Sequence, residues 1–138
     1  MDFDLDLAKK STAENPVFYV QYAHTRLAGI LKKGKEEGFH PEEDKINLLK
    51  DEEELALVKK IARWTEVLHE VAHNYEVHNI AHYLVSLADS LHAFYEKVRV
   101  IDKSNPDLTR ARLALAEATK KVMADGLGVL GVGAPEQM

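Results

Sequence analysis

The sequence predicts an all-α fold, a helical bundle of about five helices that forms a single domain over residues 1–138. Five stretches repeat apolar residues at the three- and four-residue spacing of an amphipathic helix. Few β-branched runs and no hairpin turn signal interrupt them. The chain has 138 residues, 46% of them hydrophobic, which is enough apolar material for one core.

The first helix is predicted from Pro16 to about Lys35, with Asn15 as its N-cap. One stripe of this helix is apolar and is expected to face the core: Val20, Ala23, Leu27, Ile30 and Leu31. A second stripe, about a quarter turn away, carries two aromatic and two cationic residues: Tyr19, Tyr22, Arg26 and Lys33. Such a flank could bind unpaired RNA bases and phosphates, or could be an ordinary surface with interface tyrosines and a snorkelling arginine.

The second helix is predicted to begin after a cap at Asp51, following a loop over residues 38–50. Its core face is predicted from 3,4 spacing: Leu55, Val58, Ile61 and Ala62. A third helix is expected to be capped by Thr65 and to end near Asn74. Lys59 and Lys60 of the second helix are expected to be solvated.

The fourth helix is predicted from about Val77 to Val100 and carries the longest apolar seam of the chain. The fifth is predicted over about residues 108–130, with Asp107 or Thr109 as its cap. Residues 131–138 form a tail that is free to lie across the surface, and residues 1–14 form an N-terminal lead-in. The pattern of the lead-in suits a strand and a short helix equally.

Composition limits the classes of function. No apolar run approaches the roughly 20 residues that a bilayer requires, and the acidic N-terminus lacks the features of a secretory signal. The absence of cysteine excludes disulfides and thiolate metal sites. We therefore expect a cytoplasmic protein with no membrane partner. Because the net charge is −5, any RNA binding must use a local basic patch and should be weak and strongly salt-dependent.

One motif points to a different chemistry. His69, Glu70 and His73 match the HExxH pattern, in which two imidazoles bind zinc and the glutamate is a general base. The extended form of the motif needs glycine and histidine further along, where this chain has Glu76 and Asn79. A small zinc hydrolase is therefore an alternative, and ordinary surface histidines are the simpler interpretation.

Four segments resemble one protein family, in the right order: DFDLDLAKK, ENPVFYVQYAHTRL, FYEKVRV and the ending TRARLALAEATKKVMADGLGVLGVGAPEQM. Together they resemble the C-terminal DALR-type anticodon-binding domain of arginyl-tRNA synthetase, a class I aminoacyl-tRNA synthetase. The resemblance spans essentially the whole chain. It implies an all-α domain that binds the anticodon stem-loop of a tRNA.

The resemblance also implies a set of RNA-binding residues: Tyr19, Tyr22, Arg26, Tyr95, Arg99 and Met138. By periodicity alone Tyr95 lies close to the buried face of its helix, so core packing is the interpretation that the spacing favours. Gln137 departs from the family, which has arginine before the final methionine, so one cation is missing from the tail. Lys33 gains no role from the resemblance and is expected to be solvated.

By the same resemblance, the chain is interpreted as an excised C-terminal fragment, in preference to a free-standing paralogue. The fragment is expected to have no catalytic residue, no metal and no cofactor of its own. The longer parent would be an arginine-tRNA ligase that uses ATP and Mg²⁺. The expected partners are arginine tRNAs and the catalytic domain of the same parent, and not DNA. A helical protein-interaction module is the remaining alternative.

Overall fold

The computed structural model describes residues 15–74 and 76–138, which form five α-helices and one 3₁₀ helix. We number the helices α1 (Pro16–Glu36), α2 (Glu52–Ala62), α3 (Trp64–Asn74), α4 (His78–Lys97) and α5 (Pro106–Val129), with the 3₁₀ helix (Glu43–Leu48) between α1 and α2. The predicted all-α class is confirmed. The predicted lead-in, residues 1–14, lies outside the described residues, and the single-domain prediction for residues 1–138 stays a prediction.

The core lies where α1, α4 and α5 meet, and α2 and α3 cover the outer side of α4. Its centre consists of fully buried side chains from these three helices: Leu27, Leu84, Leu87, Leu91, Phe94, Leu113, Leu115 and Met123. Two buried glycines bring the helices close together. A Cβ on Gly126 of α5 would lie 2.7 Å from Leu84, and a Cβ on Gly34 of α1 would lie 2.9 Å from Leu113. Among residues 15–74 and 76–138, none of the helices could span a lipid bilayer.

Asparagine and proline start both long helices of the core in the same way. The Asn15 side chain accepts a hydrogen bond from the Phe18 amide (3.0 Å) at the start of α1, which confirms the predicted cap. At α5 the cap is Asn105, so the prediction of Asp107 or Thr109 is wrong. Thr109 is buried instead, and its hydroxyl group hydrogen-bonds the backbone of the loop between α4 and α5.

The face that α2 buries differs in part from the predicted face. Val58 and Ile61 pack against the core as predicted, whereas Leu55 is 44% exposed and Ala62 is exposed. Leu57 and Glu54 are buried in their place. The reason is an ion pair across the bundle, since Arg112 Nε of α5 lies 2.7 Å from Glu54 Oε2. Glu54 Oε1 also accepts the amide of Asp51 as part of a capping box, so the carboxylate fixes the rotation of the helix.

Two helix boundaries and one loop also differ from the predicted ones. The helix α3 begins at Trp64, whose buried ring stacks on Tyr83 of α4 with ring centroids 5.5 Å apart, so Thr65 is not a cap. The helix α4 ends at Lys97 instead of near Val100. The 3₁₀ helix occupies part of the predicted loop over residues 38–50 and packs against α5.

Candidate nucleic-acid interface

A groove runs between the second half of α1 and the segment that follows α4. Its volume is about 660 Å³, and its charged lining is mostly cationic: Arg26, Lys33, Arg99 and Lys103, against Glu37 and Asp102. We call it the arginine groove. Lys103 Nζ lies 3.8 Å from Glu37 Oε1, so these two charges offset each other. Three cations and the Asp102 carboxylate remain, so the lining keeps an excess of positive charge and gives an acidic chain a local basic site.

Arg26 lies against the wall of this groove in a fixed position. Its guanidinium carbon lies 4.7 Å from the centroid of the Tyr95 ring, and its Nη1 lies 3.0 Å from His92 Nδ1. Because a guanidinium can only donate, the His92 nitrogen accepts this hydrogen bond. The aromatic face and the imidazole therefore hold the cation at the surface.

Tyr95 combines the two interpretations that the sequence allowed. Its ring lines the arginine groove and packs against Phe94, with ring centroids 5.8 Å apart. Its hydroxyl group is buried and has no hydrogen-bond partner among residues 15–74 and 76–138. Burial raises the pKa of Tyr95, and the Arg26 charge opposes this only in part. The residue thus belongs both to the packed interior and to the groove.

Tyr19 and Tyr22 lie beneath the surface instead of on it. They are 1% and 5% exposed, so the second stripe of α1 is buried over the first half of the helix. Tyr19 donates a 2.6 Å hydrogen bond to Asp89 Oδ1, and burial, followed by Asp89, raises the pKa of Tyr19. The Tyr22 ring stacks on His92, with centroids 5.8 Å apart. The helix α4 covers this half of the stripe, which opens to solvent only from Arg26 onward.

The remaining predicted residues, Arg99 and Met138, lie in different parts of the structure. Arg99 is exposed and lines the arginine groove, and its backbone carbonyl accepts a 2.9 Å hydrogen bond from Arg112 Nη1. Met138 is partly buried against the hydrophobic core and is not in the lining of the groove. The structure therefore brings together Arg26, Tyr95 and Arg99 in one groove, with Tyr19 and Tyr22 as buried neighbours of its wall.

The C-terminal tail is bound to α1, in contrast to the free tail that the sequence suggested. Gln21 Nε2 donates to the Gly133 carbonyl (2.9 Å). The Pro135 carbonyl accepts from Thr25 Oγ1 (3.0 Å) and from His24 Nδ1 (2.8 Å). His24 is buried, and this desolvation lowers the pKa of its imidazole. Three side chains of one helix thus fix the path of the tail.

Sequence reasoning missed three residues that shape this site. Lys33 lines the arginine groove, and its place on the Arg26 stripe was a signal that pointed to it. His92 and Arg112 act through partners on other helices, Arg26 and Glu54 respectively. No local pattern in the sequence identifies such contacts, since they depend on how the helices pack.

The zinc-hydrolase alternative requires a complete set of zinc ligands, and the described residues do not provide one. His69, Glu70 and His73 are exposed on α3. Within the described parts of the chain, no three His, Cys, Asp or Glu side chains converge as a metal-binding cluster. A zinc protease of this type needs a third protein ligand, so the geometry does not favour the motif as a catalytic site.

Comparison with known proteins identifies the family. The family model described as the DALR anticodon binding domain matches residues 20–138. The chain belongs to this family. The predicted resemblance is thereby confirmed, and neither the zinc hydrolase nor the protein-interaction module is favoured.

Relatives of this DALR domain include the arginine–tRNA ligases of Citrifermentans bemidjiense and Symbiobacterium thermophilum, which are 46% and 47% identical to it. Each match covers the whole chain but 25% of the relative. The Thermus thermophilus arginyl-tRNA synthetase structure is 32% identical with a TM-score of 0.72, over 87% of this chain and 21% of that one. A Campylobacter jejuni structure, 22% identical with a TM-score of 0.76, covers 100% of this chain and 30% of that one, and supports the fold alone. The chain thus spans about a quarter of the length of its curated relatives.

Proposed function

We propose that this DALR domain binds the anticodon stem-loop of an arginine tRNA as part of a longer arginine–tRNA ligase. Family membership supports the class of ligand, and the arginine groove is the observation that carries the assignment to a surface. Ligation of arginine with ATP and Mg²⁺ in the cytoplasm is proposed for the longer enzyme. We assign no catalytic step, metal or cofactor to the residues of this chain.

The chemistry of the arginine groove suits a single-stranded RNA loop. Guanidinium groups stack on exposed bases and donate paired hydrogen bonds to phosphates or base edges. Arg26 is held in place before the ligand arrives by Tyr95 and His92, so little side-chain entropy is lost on binding. Arg99 lines the same groove from the segment that follows α4 and can contact the same strand.

Direct contacts from Tyr19, Tyr22 and Met138 stay predictions. The hydroxyl group of Tyr19 is already bound to Asp89, and the Tyr22 ring is almost fully buried. In this arrangement the two tyrosines support the wall that carries Arg26. RNA can contact the Tyr22 ring only if its present cover is displaced.

The test is binding of a fluorescently labelled arginine-tRNA anticodon stem-loop to this chain and to three variants, Arg99→Ala, Arg26→Ala and Arg63→Ala. Because Arg99 is exposed, Arg99→Ala should leave the fold intact and weaken binding by roughly 10-fold, the value of one charge-assisted contact. Arg63→Ala removes a second exposed arginine, located at the end of α2, and should bind the stem-loop as the unsubstituted chain does. Equal binding by the unsubstituted chain, Arg99→Ala and Arg26→Ala would refute the assigned surface.

A further inference from the structure

A second groove lies on the other side of α1 from the arginine groove. Its volume is about 790 Å³, and we call it the lysine groove because Lys32, Lys35 and Lys120 line it. Two acidic side chains, Glu117 and Glu136, line it as well. Lys120 Nζ lies 2.7 Å from Glu136 Oε1, so these two charges are paired. Lys32 and Lys35 are exposed and form no ion pair with any described residue.

Gly29 of α1 separates the two grooves and lines both of them. A Cβ on Gly29 would meet no atom within 4 Å, whereas a Cβ on Gly34 or Gly126 would collide with a leucine. Packing therefore explains the glycine at 34 and at 126 but not at 29. Glycine is the poorest helix former apart from proline, so folding alone favours another residue at this exposed position inside a helix.

The missing side chain makes the ridge of α1 low at Gly29, which lets another backbone approach the helix closely. On one side of this ridge lie Arg26 and Lys33, and on the other side lie Lys32 and Lys35. From Arg26 to Lys35 the helix contains no acidic residue. A polyanion that crosses the helix at Gly29 therefore meets cations before and after the crossing.

We propose that a tRNA strand crosses α1 at Gly29, with the anticodon loop in the arginine groove and the phosphates of the adjoining stem in the lysine groove. Lys32 and Lys35 bind these phosphates as point charges. The inference rests on the proposed function and adds to it a second contact surface for paired RNA. It also predicts that the stem contributes affinity through its backbone and without regard to its sequence.

The first test measures the salt dependence of stem-loop binding for Lys32→Gln/Lys35→Gln. Loss of two phosphate contacts should reduce the slope of log K against log salt by roughly 1.5 and the affinity at low salt by roughly 10-fold. Lys59→Gln/Arg63→Gln removes the same charge from two exposed residues, one in α2 and one directly after its end, and is the matched control. A single-stranded RNA with the anticodon-loop sequence should bind the lysine variant and the unsubstituted chain equally.

The second test uses Gly29→Met, which places a side chain on the ridge. Methionine is a good helix former and meets open space there, so the melting temperature should stay the same or rise. Affinity for the stem-loop should nevertheless fall by roughly 10-fold, because the ridge then blocks the strand. Gly128→Met makes the same change at an exposed glycine in the last turn of α5, and should not affect binding.

The outcomes separate the two proposals. If the unsubstituted chain binds the stem-loop while the lysine and Gly29 variants behave like their controls, the crossing at Gly29 is wrong and the proposed function stands. If the lysine substitutions weaken binding of the single-stranded loop as much as binding of the stem-loop, the lysine groove does not bind the stem. Failure of the unsubstituted chain to bind the stem-loop at all overturns both proposals.

Discussion

Replacing Arg112 with methionine removes the cation that lies against the buried carboxylate of Glu54. The two side chains are 10% and 1% exposed, and Nε lies 2.7 Å from Oε2. The same guanidinium donates to the Arg99 carbonyl (2.9 Å) and lies 3.5 Å from Asp51 Oδ2. Arg112→Met therefore leaves a buried charge without its partner and a backbone carbonyl without its donor.

Loss of one member of a buried ion pair typically costs about 3 to 5 kcal/mol of unfolding free energy. At roughly 2.1 cal/mol/K per residue, the unfolding entropy of a 138-residue chain is about 0.29 kcal/mol/K. The melting temperature of Arg112→Met should therefore fall by about 10 to 17 °C. Urea denaturation and calorimetry both measure this change.

A second substitution tests whether the uncompensated charge is the cause. Glu54→Gln in the Arg112→Met background removes the charge but keeps an oxygen that can accept the amides of Lys50 and Asp51. This double variant should recover at least about 2 kcal/mol. Arg110→Met is the matched control, because its surface ion pairs should contribute under about 1 kcal/mol. A loss below about 1 kcal/mol for Arg112→Met, or no recovery in the double variant, would refute the reasoning.

Two further predictions concern packing and pH. Gly126→Ala should destabilise the chain by about 1 to 3 kcal/mol, because its Cβ would lie 2.7 Å from Leu84. Gly128→Ala should be neutral or stabilising, because its Cβ would meet open space. Chemical denaturation measures the unfolding free energy of both variants. His24 has a lowered pKa in the folded chain, so the unfolded chain binds its proton more tightly, and stability should fall as the pH drops below about 6.5. His24→Gln should flatten this part of the stability profile, and an unchanged acid-side slope would contradict the prediction.

The five helices could be predicted from sequence because each depends on local signals. Asn15 and Asn105 both precede a proline and cap a helix, and both core helices carry apolar residues at helical spacing. The cap at Asn105 was nevertheless assigned to later residues, since several capping residues lie close together there. The rotation predicted for α2 was partly wrong for a different reason. It is fixed by the hydrogen bond between Glu54 and Arg112, and Arg112 lies far along the chain.

Part of the candidate site could likewise be predicted from the sequence, and part of it could not. The amino-acid sequence was sufficient to identify the family, through segments whose residues match along the chain, and to identify the stripe that carries Arg26. It could not show that α4 covers Tyr19 and Tyr22, or that the loop after α4 places Arg99 in the same groove as Arg26. Helical periodicity relates residues on one helix, whereas burial and grooves depend on which other helix packs against that stripe and where it ends. Only the tertiary structure could therefore show that the stripe is buried in its first half and open from Arg26 onward.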